Sequence, residues 1–193
     1  MSANYYVGGL AGGAVDSVVE NVTIIGGAVV GASKFNAGGL VGICNGCIFT
    51  GNKVDAEILP SGGAIAGFQK HSTFIENFFH SSAGDDTGAT KIFKIADNCS
   101  GLGGVEIFGE IIEFGGSKYA AAGTEIIFTI PDAAGFDTAD IIGAEKIAAS
   151  IFKFTVGAED CQLKLQGRKI LGEYEFVVDG NIYVIDSADE DYF

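Results

Sequence analysis

The chain has 193 residues, 48% apolar and 19% charged, which leaves room for one large or two small domains with a buried core and excludes a disordered composition. A formal net charge of −14, with Arg168 the only arginine, excludes a nucleic-acid backbone or an anionic membrane surface as ligand, because both require clustered cations. Thirty glycines without the every-third spacing of collagen, set among Val, Ile and Phe, predict short strands joined by tight turns.

The opening Met1-Ser2-Ala3-Asn4 has neither the basic nor the apolar region of a secretory signal. That fits either a cytoplasmic protein or an internal segment of a longer one, and the repeats that follow favour the second. Gly8-Gly9-Leu10-Ala11-Gly12 recurs as Gly38-Gly39-Leu40-Val41-Gly42 and, degraded, as Gly63-Ala64-Ile65-Ala66-Gly67, at spacings of 30 and 25 residues. Each block leads through a polar stretch into an apolar strand that carries an Asn near its end: Ser17–Val22, Cys47–Val54 and Thr73–Phe78. Glycine pairs cost about 1 kcal/mol per Gly in a helix, and the apolar runs are short and often β-branched or aromatic. Each unit therefore reads as two or three short strands, one coil of a solenoid, and one coil buries its face only by stacking on others. The 18 uncharged residues from Phe35 to Asn52 contain five Gly and three Asn, so they read as repeat and not as a membrane span.

Residues 83–90 carry turn residues and no apolar strand, and the domain boundary is placed there. Residues 1–90 hold 17 of the 30 glycines and a net charge of −4; residues 91–193 carry −10. The second region contains strand-like runs at Thr124–Ile130, Ser150–Val156 and Cys161–Leu165. Glu173–Val178 and Asn181–Ile185 flank Asp179-Gly180, a hairpin signal. Asp132–Lys146 is open to a short helix or a long connection. The expected fold is all-β: a short β-helix of about three Gly-rich repeats over 1–90, then a small β-sandwich-like module over 91–193.

Gly-Gly-Leu-Val-Gly, a loop and an apolar strand with an Asn resemble the GLUG-motif repeat of bacterial surface proteins and adhesins, Gly38–Val54 being the copy nearest the pattern. Lys118–Thr124, Gly135-Phe136 and Phe152–Asp160 resemble a divergent β-rich module related to the internalin B repeat. Tyr183–Glu190 looks like the opening strand of a further β-helical block, so that 183–193 would start the next module. The resemblance implies a secreted or surface-displayed protein, and it brings no shared active site.

Several residues invite chemical readings. Cys44-Asn45-Gly46-Cys47 is a C-x-x-C that could bind metal with Cys99 or His71, or act as a redox pair; without a second close pair, it reads better as two small residues packing in a Gly-rich coil. Cys161 is the fourth cysteine, and four are too few for a disulfide scaffold at this length. His71 and His80, with Asp85 and Asp86 as expected partners, read as solvent-facing. Asp186, Asp189, Glu190 and Asp191 lack the spacing of a calcium loop and read as acidic surface. Gly8–Gly13 and Gly38–Gly42 lack the Gly-Lys-Ser/Thr of a phosphate loop. For a polysaccharide lyase the repeats offer only Lys34, Lys53 and Lys70; for a glycosidase, Asp16, Glu20, Asp55, Glu57 and Glu76 have nothing to pair them.

The expected function is accordingly non-enzymatic. The chain would be a spacer or adhesion segment of a modular surface protein, without catalytic, cofactor or metal residues. Its partners would be glycans or matrix protein, and exposed strand edges could bring about a dimer. The alternative is a carbohydrate-binding or carbohydrate-active module, with Phe68, Phe74, Phe78 and Phe79 as candidate stacking residues.

Overall fold

A computed structural model describes residues 5–33, 35–60, 62–80, 84–85, 88–97, 106–130, 136–178 and 181–192. Every regular element among them is a β-strand, and no helix is long and apolar enough to cross a membrane. The chain divides into two compact units, Met1–Ile92 with Glu113–Gly116, and Phe93–Ile112 with Ser117–Phe193.

The first unit is built from the repeats. Repeat 1 contributes β1 (Val7–Gly8), β2 (Ala11–Val15), β3 (Val18–Glu20) and β4 (Thr23–Val30). Repeat 2 contributes β5 (Ala37–Gly38), β6 (Val41–Asn45), β7 (Ile48–Thr50) and β8 (Lys53–Leu59). Repeat 3 contributes β9 (Gly62–Gly63), β10 (Ala66–Lys70), β11 (Thr73–Ile75) and β12 (Phe78–His80), followed by β13 (Gly84–Asp85) and β14 (Thr90–Asp97). Corresponding strands pair in parallel, so each repeat gives one strand to each of four sheets. The sequence spacing is also the pairing offset: Val18 lies opposite Ile48, 30 residues on, and Ile48 opposite Thr73, 25 on. The five-residue difference falls after the third strand, where β4 and its connection to β5 are longer than β8 and its connection to β9.

The glycine blocks are the places where backbones come closest. A Cβ on Gly38 would run into the Val41 carbonyl oxygen and the Gly67 amide nitrogen, and one on Gly42 into the Val7 amide nitrogen. Leu40 and Ile65, within the same blocks, point into the core and are fully buried. With them lie Val41, Phe49, Val54, Ala56, Ala66 and Phe79. Phe49 and Phe74, one repeat apart, stack with ring centroids 5.1 Å apart.

Between β2 and β3, and again between β3 and β4, the chain turns through one residue in the left-handed region. At the first corner these are Asp16, Gly46 and His71, and at the second Asn21, Gly51 and Glu76. Such a conformation costs a non-glycine residue roughly 1–2 kcal/mol, partly offset by the entropy glycine loses on folding. Glu76, exposed with φ 51°, is the clearest case. Glu76→Gly is expected to stabilise the fold by about 0.5–1 kcal/mol, read as a higher urea midpoint at unchanged slope.

Beyond the second corner sits a buried amide stack. Asn77 Oδ1 accepts from Asn52 Nδ2 at 2.8 Å and from the Asn52 backbone N–H at 3.1 Å; Asn52 Oδ1 accepts from the Val22 N–H at 2.9 Å. Asn52 Nδ2 also donates to the Val19 carbonyl, and Asn77 Nδ2 to those of Phe49 and Gly88. Asn21, which the sequence aligns with Asn52 and Asn77, is displaced by one position: it is the corner residue, and Val22 takes its place beneath the stack.

The second unit has an antiparallel sheet of β15 (Glu106–Phe108), β18 (Glu125–Thr129), β21 (Ile151–Thr155) and β20 (Glu145–Ala148). Its core joins Ile126, Phe128 and Ile130 to Phe152, Val156, Ala120 of β17 (Ser117–Ala121), Phe93 and Ile95 of β14, and Leu163 of β22 (Cys161–Val178). The alternation in Thr124–Ile130 thus becomes one buried face. The stretch open to a helix holds strands instead: β19 (Phe136–Ile142), antiparallel to β22, and β20. Val178 and Asn181 face each other across the expected hairpin; Asp179 and Gly180 lie outside the described residues, as do Cys99 and Gly135. Tyr183–Glu190 forms part of β23 (Asn181–Tyr192), paired back antiparallel onto β22.

Candidate functional site

The four sheets of the repeats dictate where each candidate residue goes. Cys44 and Cys47 are both buried free thiols, in different roles. Cys44 is an inward position of β6, between Ala14 and Gln69 of the neighbouring repeats. Cys47 follows the first corner, where repeats 1 and 3 have Ser17 and Ser72. Ser17 Oγ donates to the Val15 carbonyl at 2.7 Å, Ser72 Oγ to that of Lys70 at 3.1 Å, and Cys47 Sγ to that of Asn45 at 3.5 Å. Ser72 Oγ also accepts from the Cys47 N–H at 3.1 Å. The C-x-x-C thus combines a core position with a corner that closes on the carbonyl two residues back.

Burial pushes the Cys44 thiol up, outweighing its hydrogen bond with Ser72, and Cys47 beside it acts in the same upward direction. Burial does the same for Cys161, with the charge of Asp160 adding to it. A thiol whose folded pKa is raised contributes fully below the unfolded value and loses that contribution as pH rises through the folded one. Stability is expected to fall above pH 9. Cys44→Ala should flatten that fall, measured by urea titrations at about pH 8 and about pH 10.

The two histidines part company. His71 is an exposed corner residue. His80, half-buried on β12, meets Asp55 of β8, with Nδ1 2.9 Å from Oδ1. Asp55 lies one repeat back from His80; of the partners that the sequence pointed to, the side chain of Asp85 lies outside the described residues. The 25-residue spacing between Asp55 and His80 equals the period of the repeats, which is the signal that could have found the pair. Asp86 lies outside the described residues, as does Lys34.

The carboxylates offered for hydrolysis occupy separate register positions. Asp16 sits at the first corner, Glu76 at the second, Glu20 opposite Thr50, Glu57 opposite Ala28, and Asp55 with His80. Lys53 is partly buried on β8 and Lys70 exposed at the end of β10. Asp186, Asp189, Glu190 and Asp191 all lie on β23, opposite β22. Among the described residues, no group of three or more His, Cys, Asp or Glu is placed to hold a metal ion.

The four phenylalanines differ in burial. Phe79 is fully buried, Phe74 is stacked on Phe49, and Phe78 is partly buried, whereas Phe68 is 47% exposed on β10 beside Ile43. Ile48 and Ile75, on β7 and β11, are also exposed. Of the four phenylalanines, Phe68 is thus the one that is exposed. Comparison with protein-family models, with curated proteins and with solved structures found no match for this chain.

Proposed function

We propose that the first unit is a short β-solenoid of the GLUG-like type and that the chain is a non-enzymatic segment of a modular bacterial surface protein, serving as spacer and adhesion module. The second unit is then a small sandwich-like module. The observation that carries this reading is the continuous register of the repeats through four parallel sheets, with Asn52 and Asn77 stacked inside. Such stacking makes a rigid, extendable body whose backbone hydrogen bonds run between coils. The residues that the sequence offered for chemistry take part in the packing of the repeats: Cys44 in the core, Cys47 at a corner, His80 against Asp55. The resemblance of Gly38–Val54 to surface-protein repeats supports an extracellular location.

The test is binding of the purified chain to an array of glycans and matrix proteins, with and without calcium. A saturable signal that Phe68→Ala abolishes is expected, with no release of reducing ends from polysaccharides over the same period. Sustained release would overturn the non-enzymatic reading in favour of a carbohydrate-active module, and a blank from folded protein would remove the adhesive half.

A further inference from the structure

In the sheet of β2, β6 and β10, Cys44 of β6 points into the core, so by the alternation of a strand its neighbours Ile43 and Asn45 point outward. The register carries this outer face on to β10, where Phe68 lies opposite Ile43 and Lys70 opposite Asn45. Phe68 and Lys70 therefore stand on one side of the same strand, their Cα atoms roughly 6.6 Å apart. Both side chains are exposed. None of the three strands carries a carboxylate, and Lys70 is their one charge, in a chain with 25 acidic residues. The nearest carboxylate by register is that of Asp16, at the corner after β2, two strands away and leaning over Gly46. Among the described residues no carboxylate lies within ion-pair distance of Lys70.

We infer that Phe68 and Lys70 form a subsite for an acidic sugar, a uronate unit of a polysaccharide. The inference rests on the adhesive reading above and names the class of ligand that reading leaves open. A sheet face is a platform, which suits a flat ligand: a pyranose lays its C–H face on the Phe68 ring. The carboxylate at the edge of a uronate ring then comes within reach of the Lys70 ammonium, a compact charge on a flexible stem. Asn45, exposed on the adjacent strand opposite Lys70, adds an amide that can donate to the carboxylate and accept from a ring hydroxyl. Charge selects the ligand. A chain of net −14 repels a polyanion over most of its surface, and these strands are a place where a cation stands without acids beside it. A neutral sugar would leave Lys70 unused, and a peptide of Glu residues would bring no ring to lay on Phe68.

Isothermal titration calorimetry of the full chain tests it, with hexagalacturonate, its fully methyl-esterified form and poly-glutamate as probes. Hexagalacturonate is expected to bind about fivefold more tightly than the ester, and added salt should erase the difference. Lys70→Gln should weaken hexagalacturonate about fivefold and leave the ester unchanged, whereas Phe68→Ala should abolish binding of both. Both side chains are exposed, so the variants should keep the wild-type β circular dichroism. Phe68→Leu, which keeps apolar bulk without the ring, is the second variant should Phe68→Ala fail to fold. Equal binding of acid and ester overturns the inference, as does an acid affinity that Lys70→Gln leaves unchanged, or poly-glutamate bound as tightly as hexagalacturonate. The adhesive reading survives each of those results. Absence of binding to either oligosaccharide also overturns the inference, and the adhesive reading falls with it only if the glycan and matrix array is blank as well.

Discussion

Gly38→Ala is expected to cost at least about 4 kcal/mol, and at 37 °C the variant should not accumulate as folded protein. The added methyl would meet the Val41 carbonyl oxygen, the Gly67 amide nitrogen and the Ala66 carbonyl carbon. All three are backbone atoms fixed by parallel pairing with neighbouring repeats, so the clash has no side chain to move aside. Gly26→Ala is the first control: its Cβ would point into open space, but its φ of 69° leaves a penalty of about 1–2 kcal/mol. Gly157→Ala is the second, with open space and no positive φ, and it should be neutral or stabilising by up to about 1 kcal/mol. Urea titrations of the three variants separate lack of room from backbone strain. Equal losses would show that the close approach at Gly38 does not govern stability.

Asn77→Leu should be nearly as damaging, with an expected loss of about 3–5 kcal/mol. It strands the Asn52 backbone N–H and one of the two N–H groups of the Asn52 side-chain amide, and it removes the donor to the Phe49 and Gly88 carbonyls. Each buried polar group left unpaired costs about 1–3 kcal/mol. Asn52→Leu should cost a similar amount through Val22 and Val19. The double variant is expected to cost less than the sum of the two, because each single change already breaks the bond between them. Strict additivity in the double-mutant cycle would mean that the stacked amides act as separate anchors.

The Gly-Gly-Leu-Val-Gly blocks made the repeats legible because their function is steric, and steric demands leave a residue type behind: only glycine fits at Gly38, and an apolar residue fills the Leu40 position. The spacings of 30 and 25 became pairing offsets for the same reason. The corner residues were not legible. Asn21, Gly51 and Glu76 share a backbone conformation but no chemistry, so reading by residue type aligned Asn21 with Asn52 and lost the frame by one position. The Asp55–His80 pair follows the period of the repeats, a distance that a search for partners nearby in sequence does not use. Cys47 reads as a small packing residue, and its corner hydrogen bond is not legible because the serines in the same role, Ser17 and Ser72, stand in other repeats. In the second unit, alternation located the strands through Ile126, Phe128 and Phe152. It did not reveal Phe136–Ile142, whose FDTADII keeps a weaker pattern.

The parallel register of repeats 1 to 3 has a mechanical consequence. The hydrogen bonds between repeats point along the stacking direction, so a pull in that direction loads one row at a time, as in opening a zipper, and does not shear many rows together. Each repeat that detaches would release about 25–30 residues of chain, roughly 80–110 Å at full extension, from a layer only about 4.8 Å thick. A stalk made this way would yield in steps at modest force, lengthening about twentyfold per layer before the tether itself came under full tension.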